Sequence, residues 1–217
     1  MKNLENLERK AQQNQKLAQN EIEFARNFKL EAKSELKKAK ISQKLFLQEM
    51  EIAMIRETLA EKKFALVQRK KKIKDEELLK ITDEELKHES DYANYYKQLA
   101  KNSSDIAIIH KETASEAEKI AKLKLNLAFD KMTLAHERNN LAKQQFQYIK
   151  LVRENASENK ITNTEQKYKN QGENVWKIRD KLIKKENQMK SKENELANLK
   201  KQLSLKLSER EKIIHLA

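Results

Sequence analysis

The stretch ASEAEKIAKLKLNLAFDKMTLAHERNNLA, residues 114–142, carries an alanine at every seventh position. Extended in both directions, the same count meets only apolar residues: Leu86, Ala93, Ala100, Ala107, Ala114, Ala121, Ala128, Ala135, Ala142, Ile149 and Ala156. A strict seven-residue period predicts an α-helix whose apolar face winds left-handedly against a partner helix. Because alanine is small, the two backbones of such a pair can approach closely.

A second alanine series lies in the first third of the chain. Its members, again seven residues apart, are Leu4, Ala11, Ala18, Ala25, Ala32, Ala39, Phe46, Ala53, Ala60 and Val67. If the chain folds back at about residue 80, the two series come level, and the bulky Phe46 lies opposite Ala114. Large side chains set against small ones fill a core without voids. The two series therefore predict an all-α fold built on an elongated antiparallel two-helix hairpin, a coiled coil with an alanine-rich heptad seam.

The stretch LKITDEELKH, residues 79–88, supplies the turn of this hairpin, which we place near residues 79–84. Thr82 and Glu85 have the spacing of a capping box, in which each side chain accepts a hydrogen bond from the backbone of the other residue. The cations of RKKKIK, residues 69–74, lie near the end of the preceding helix, where positive charge is favourable. A helix end, a cap and a helix start therefore coincide at the centre of the two series.

The position just before each series residue is often large, in both helices. In the first helix these residues are Leu17, Phe24, Leu45, Ile52, Leu59, Leu66 and Ile73, which we call the first bulky column. In the second helix they are Tyr92, Leu99, Ile106, Ile120, Leu127, Leu134, Leu141 and Tyr148, the second bulky column. We expect the side chains of both columns to pack over the alanine-rich heptad seam between the two helices. The alanine phase also continues across the polar stretch KNSSD, residues 101–105, so we expect a continuous helix there.

The alanine series ends at Ala156, within the polar stretch NASENKITNTEQKYKNQGEN, residues 155–174. Thr162 and Glu165 repeat the capping-box spacing, and Gly172, the one glycine of the chain, suits the left-handed residue that closes a short helix. These features divide the chain into three expected parts. They are a hairpin over residues 1–160, a bend with a short helix over 161–172, and a C-terminal helix over 173–217.

The C-terminal segment carries a leucine-type heptad column: Val175, Leu182, Met189, Leu196 and Leu203. This column has no obvious partner in the chain, so it docks either on the hairpin or on another subunit. We expect Val175 and Trp176 to be held in the bend, and the helix from Leu196 onward to be available to a partner. Trp176 is either a wedge that fixes the bend or an anchor for that partner. The candidate protein-interaction residues are Trp176, Leu196, Leu199, Leu203 and Leu207.

A basic cluster lies at the expected tip of the hairpin: Arg69, Lys70, Lys71 and Lys72. In a chain of net charge +13, such a tip could meet nucleic acid, anionic lipid or an acidic protein. Acidic residues at 75–77 and 83–85 partly neutralise the cluster, and aromatic side chains do not interleave with its cations. These features disfavour single-strand nucleic-acid binding, and the alanine-rich apolar faces disfavour membrane insertion.

The composition offers little for catalysis or for metal binding. The chain has no cysteine, one glycine and four histidines, none of which lies four residues from another. Metal-binding helices commonly present histidines at i and i+4, and phosphate-binding loops are rich in glycine. We therefore expect no enzymatic activity, no cofactor and no metal site.

Charged residues make up 37% of the chain and aromatic residues only 6%, so disorder is the first alternative to a folded structure. The abundance of Lys, Glu, Leu and Ala favours long helices that each bury one stripe. The start, MKNLENLERK, contains no apolar run, and no window approaches a membrane span. These features predict a cytoplasmic protein, with a periplasmic or extracellular mature form as the alternative.

Together the patterns predict a structural or assembly protein that works with other protein subunits as a homo-oligomer, a hetero-oligomer or a filament. The texture of the sequence is similar to that of stalk and sheath components of bacterial flagella and secretion machines. The long antiparallel hairpin with a third helix predicts a role as a strut, a spacer or a filament component. The alternatives are a basic coiled coil that associates with nucleic acid, and an export accessory whose tip contacts a secretion machine.

Overall fold

The computed structural model describes residues 2–75 and 81–215, and for Lys2 only the backbone. Over these residues the chain forms three long helices: α1 (Lys2–Asp75), α2 (Asp83–Arg153) and α3 (Glu158–His215). The residues described contain no strand. The prediction of an all-α fold, with two long helices followed by a third, is therefore confirmed.

Helix α2 begins with the predicted capping box. The backbone N–H of Glu85 donates to Thr82 Oγ1 (3.1 Å), and the backbone N–H of Thr82 donates to Glu85 Oε2 (3.0 Å). The first turn of α2 also contains Asp83 and Glu84, whose charges favour the positive end of the helix dipole. The predicted turn near residues 79–84 lies partly outside the described residues, which leave out 76–80.

The connection between α2 and α3 is built on Asn155, which has a left-handed φ of 51°. Its N–H donates to the carbonyl of Val152, and the N–H of Ala156 donates to the carbonyl of Leu151. These two bonds form a Schellman motif, which satisfies carbonyls that the end of a helix leaves unpaired. Asparagine suits this position because its short polar side chain makes the left-handed conformation accessible.

The predicted bend over residues 161–172 is wrong, because α3 is continuous from Glu158 to His215. Gly172 lies inside this helix and does not have a positive φ. A glycine within a helix costs about 1 kcal/mol relative to alanine, so one glycine alone does not end a long helix. Thr162 and Glu165 likewise lie inside α3, and the interruption between two helices falls at Asn155 instead.

The described residues group into two compact units, and each helix contributes to both. Unit 1 contains the described residues through Leu36, together with Lys119–Glu193. Unit 2 contains Lys37–Glu118 and the described residues from Asn194 onward. Each unit therefore holds a segment of α1, a segment of α2 and a segment of α3.

Unit 1 buries the alanine series of α1 and α2. The members with at most 1% exposure are Ala11, Ala18, Ala25, Ala32, Ala121, Ala128, Ala135 and Ala142. Ion pairs join the two helices in antiparallel order, since Glu8 lies 2.7 Å from Arg153 and Glu31 lies 2.8 Å from Lys124. The buried alanines thus accompany an antiparallel pairing of α1 with α2 in this unit.

Unit 2 buries its part of the alanine series as well: Ala39, Ala53, Ala60, Val67, Leu86, Ala93, Ala100, Ala107 and Ala114. Gln43 Nε2 donates to Glu118 Oε1 (2.9 Å), and Lys63 Nζ donates to Glu89 Oε2 (3.0 Å), so α1 and α2 are again antiparallel. The contact between Gln43 and Glu118 falls near the pairing that the two series predict. The left-handed winding of a coiled coil and the closed hairpin turn stay predictions.

Candidate functional site

The two bulky columns differ in exposure, although their spacing in the sequence is the same. Most of the second column, in α2, is buried: Leu99, Ile106, Ile120, Leu127, Leu134 and Leu141. Much of the first column, in α1, is between 37% and 53% exposed: Phe24, Leu45, Leu59 and Leu66. The expectation that both columns fold over the seam is therefore wrong for α1.

Helix α3 accounts for the burial of the second column in unit 1. One apolar cluster there contains three members of that column and three residues of α3: Leu127, Leu134, Leu141, Val175, Leu182 and Met189. Burying a side chain of this size contributes about 1.5–3 kcal/mol. Val175, Leu182 and Met189 of the α3 heptad column therefore dock on α2 within the same chain.

The predicted protein-interaction residues differ in their accessibility. Trp176 is 66% exposed and Leu207 is 41% exposed, whereas Leu199 and Leu203 are half-buried. Leu196 is buried, so the expectation that it is available to a partner is wrong. Trp176 is not a wedge, because no bend forms there and its side chain faces solvent. Contact of Trp176 and Leu207 with another protein stays a prediction.

Bridging lysines add polar links between the three helices of unit 1. Lys131 Nζ lies 3.0 Å from a carboxylate oxygen of Glu21 in α1 and 3.0 Å from one of Glu186 in α3. Burial lowers the pKa of Lys131, but the hydrogen bonds to Glu186 and Glu21 outweigh it and leave that pKa raised. Lys124 bridges α1 and α3 in the same way, and its pKa is raised for the same reasons.

A polar layer, made of Glu49, Arg56, Asn102, Ser103 and Arg210, lies within unit 2. Arg210 of α3 donates to both carboxylate oxygens of Glu49 in α1, at 3.0 and 2.6 Å. Its Nε donates to Asn102 Oδ1 (3.2 Å), and Arg56 Nη1 donates to Ser103 Oγ (2.5 Å). Burial, together with the charge of Arg210, lowers the pKa of Arg56. Bidentate pairing of this kind fixes geometry as well as charge.

This polar layer explains the KNSSD stretch, which sequence reasoning left without a role. Helix α2 runs through residues 101–105 without a break, as predicted. Asn102 and Ser103 are buried there because they accept hydrogen bonds from arginines of the other two helices. A signal was present in the sequence, since Arg210 takes the heptad position that follows Leu203. A cation in an otherwise apolar column needs polar partners.

Part of the basic cluster at the end of α1 contacts an acidic residue of α2. Lys70 Nζ donates to Glu89 Oε1 (3.3 Å), and Lys63 Nζ donates to Glu89 Oε2 (3.0 Å). Those two hydrogen bonds lower the pKa of Glu89. Arg69 and Lys71 are exposed, as is Lys72. The cluster is thus a mixed surface in which part of the positive charge is matched within the chain.

A second apolar face runs along α1 in unit 2, and we call it the α1 stripe. Its residues, spaced by three, four or seven positions, are Ile41, Leu45, Ile52, Ile55, Leu59 and Leu66. This spacing places all of them on one face of a helix. Ile52 is half-buried, and the other five are between 37% and 58% exposed.

A groove of about 530 Å³ lies between α1 and α2 in unit 2, and we call it the Met groove. Its apolar lining consists of Met50, Ala53, Met54, Ala60, Phe64 and Ala100. Its polar lining consists of Glu57, Glu61, Lys97, Lys101, Ser104 and Asp105. Methionine side chains are flexible and adapt to varied partners, so this lining suits the side chains of an incoming helix.

Within residues 2–75 and 81–215, no group of three or more His, Asp or Glu side chains is placed to hold a metal ion. Over the same residues, none of the three helices carries an apolar window that could cross a bilayer. Comparison with known proteins finds no family model, no curated protein and no solved structure that matches this chain.

Proposed function

We propose that this chain is a non-enzymatic structural or assembly protein that acts through contacts with other protein subunits. It serves as a helical strut, or as a filament or sheath component of a flagellar or secretion machine. The observation that carries this proposal is the α1 stripe, in which five large apolar side chains of one helix face are more than a third exposed. Contiguous apolar surface of this kind commonly marks a protein interface.

The alanine series supports the proposal, because it excludes the other apolar face of α1 as the binding surface. The alanines of the two series that lie in α1 and α2 are buried within the chain, so that face is already occupied. The α1 stripe has the same helical period but larger side chains, and α3 does not cover it to the extent that it covers the second column. Fully burying each such side chain would contribute about 1.5–3 kcal/mol, so a partner that covers the stripe gains substantial stability.

The partner that best fits the stripe is an amphipathic helix of another subunit. Apolar residues spaced by three and four positions form a ridge along α1, and a partner helix can receive that ridge between its own side chains. Charged residues flank the ridge, including Lys44 and Glu51, which are exposed. Such charges set the orientation of a partner more than they set its affinity.

Site-specific photo-crosslinking in the cells that make the protein tests this proposal. A photo-reactive amino acid in place of Ile55 should give one protein adduct of discrete mass. The same amino acid in place of Lys40, which is exposed on α1 outside the stripe, should give none. The adduct should disappear in an Ile41→Glu/Leu59→Glu variant and persist in Lys40→Glu, which changes the net charge equally. Equal adducts from both positions, or none from Ile55, would contradict the proposal.

Nucleic-acid association is the second candidate, and the exposed side chains of Arg69 and Lys71 favour it in a chain of net charge +13. Because Glu89 already neutralises part of this surface, we expect weak binding without sequence preference. Affinity for a DNA duplex should fall steeply with salt as counterions are released. Tight binding at physiological salt that Arg69→Glu/Lys71→Glu abolishes would place this candidate first.

A further inference from the structure

The Met groove has an apolar floor and two rims of opposite charge. Glu57 and Glu61 of α1 form one rim, and Lys97 and Lys101 of α2 form the other. All four side chains are exposed. None of them takes part in a hydrogen bond or an ion pair between described residues. The groove therefore presents two unpaired carboxylates and two unpaired lysine ammonium groups beside a strip of exposed apolar surface.

The spacing of the rims matches an antiparallel partner. Both pairs are four residues apart, which is about one helical turn. The contact between Arg56 and Ser103 shows that these two residues lie at the same height along the paired helices. The acidic rim and the basic rim therefore lie side by side along the groove. One turn forward along α1, from Glu57 to Glu61, thus corresponds to one turn backward along α2, from Lys101 to Lys97.

We propose that the Met groove binds a second copy of this chain, groove to groove, about a two-fold axis that runs parallel to the helices. This operation lays α1 of one copy over α2 of the other and keeps every residue at its own level. Glu57 then faces Lys101 of the second copy, and Glu61 faces its Lys97. The contact is isologous, so each pairing occurs twice. Met50, Met54 and Phe64 fill the space between the two floors.

Charge also excludes the competing arrangement. A two-fold axis across the helices would lay α1 over α1 in the reverse direction, so that Glu57 of one copy would face Glu61 of the other. Like charges placed together in this way oppose association. The apolar floor supplies the attraction, and the rims select the orientation in which every acid meets a base.

This inference deepens the proposed function, because it names a second copy of the chain as one protein partner. It rests on the proposed function only in one respect, which is that the chain acts through protein–protein contacts. The surface is different from the α1 stripe. A variant that disrupts the Met groove should leave the crosslink from Ile55 intact. A variant that disrupts the stripe should leave the dimer intact. The failure of one proposal is therefore distinguishable from the failure of the other.

Sedimentation equilibrium of the full chain provides the first test. At protein concentrations of about 1–100 µM the wild type should form a dimer, as a micromolar dissociation constant requires. Met54→Lys should weaken the dimer about a hundredfold or more, because it places a charge on the apolar floor. Met132→Lys is the matched control, since Met132 is also an exposed methionine but lies outside the groove, and it should leave the dimer unchanged. A monomeric wild type over the whole range, or equal effects of the two variants, would overturn the inference.

A charge-exchange experiment tests the pairing itself. Glu57→Lys/Glu61→Lys and Lys97→Glu/Lys101→Glu should each weaken self-association by at least about tenfold through like-charge contact across the groove. An equimolar mixture of these two variants should form a heterodimer of wild-type strength, because every acid again meets a base. Circular dichroism would establish that each variant is as helical as the wild type. Absence of the heterodimer from the mixture would overturn the proposed contact between the charged rims.

Discussion

The two bulky columns of this protein follow the same rule in the sequence but have different surroundings in the structure. Both precede an alanine series by one position, and both consist largely of leucine, isoleucine and aromatic residues. The second column is mostly buried, whereas much of the first is exposed along α1. In unit 1, α3 contacts the second column through Val175, Leu182 and Met189. A heptad pattern therefore identifies a face that can pack, and a third helix determines which of two such faces is covered.

Truncation of one member of each column should give the largest contrast. Leu134 is 1% exposed and belongs to the cluster with α3, so Leu134→Ala should lower the free energy of unfolding by about 2–5 kcal/mol. Leu59 is 40% exposed, and Leu59→Ala should cost less than about 1 kcal/mol in the isolated chain. Urea unfolding followed by circular dichroism measures both. Equal losses would show that the two columns are covered alike.

Removal of Arg210 should have the next largest effect, because α3 is held in unit 2 by its bonds to Glu49. Arg210→Ala leaves that carboxylate poorly solvated and without its main partner, which should cost about 3 kcal/mol. Arg153→Ala is the control, since the Arg153–Glu8 pair is exposed and should contribute less than about 1 kcal/mol. An Arg210→Met/Glu49→Met variant should recover most of the loss. Similar small effects for both alanine variants would show that the polar layer does not anchor α3.

Replacing an alanine of the series with leucine should lower the stability of the protein by a moderate amount, because the alanine is buried between two helices. Ala128 has no exposed surface, so Ala128→Leu should overpack the contact between helices and cost about 1–3 kcal/mol. Ala65 is an exposed alanine of α1 outside the series, and Ala65→Leu should be nearly neutral. Thermal unfolding compares the two variants. An unchanged melting temperature for Ala128→Leu would mean that the alanine series is not packed closely.

Replacement of Gly172 should have the smallest effect and the opposite sign. The glycine lies inside α3 with a helical backbone, and a Cβ atom added there meets no other atom within 4 Å. Gly172→Ala should therefore stabilise the protein by about 1 kcal/mol through its higher helix propensity. Loss of stability in this variant would instead support a bend at Gly172 and a break in the helix that covers the second column.

The features that were predictable from the sequence depend on short-range rules. The alanine period identified the buried face of α1 and α2, and the Thr82–Glu85 spacing identified the N-terminus of α2. Such rules involve residues within one or two helical turns, so their physical cause is visible in the sequence itself.

The features that were mispredicted depend on distant contacts or on competition between sites. The chain reverses at Asn155 rather than at Gly172, because the Schellman hydrogen bonds form where α2 ends and not where the most flexible residue lies. Leu196 is buried because the column of α3 docks within the chain. The pairing of Arg210 with Asn102 joins residues that are far apart in the sequence, and no local pattern specifies it.

Cysteine accessibility distinguishes a second bulky column that α3 covers from a first bulky column that is open to solvent. The chain has no cysteine of its own, so Leu59→Cys and Leu134→Cys each introduce a unique thiol. At a dilution where the folded chain is monomeric, a maleimide should label position 59 about a hundredfold or more faster than position 134, because reaction at 134 requires local opening of the structure. Equal labelling rates in two fully helical variants, or faster labelling at position 134, would show that α3 does not shield the second column.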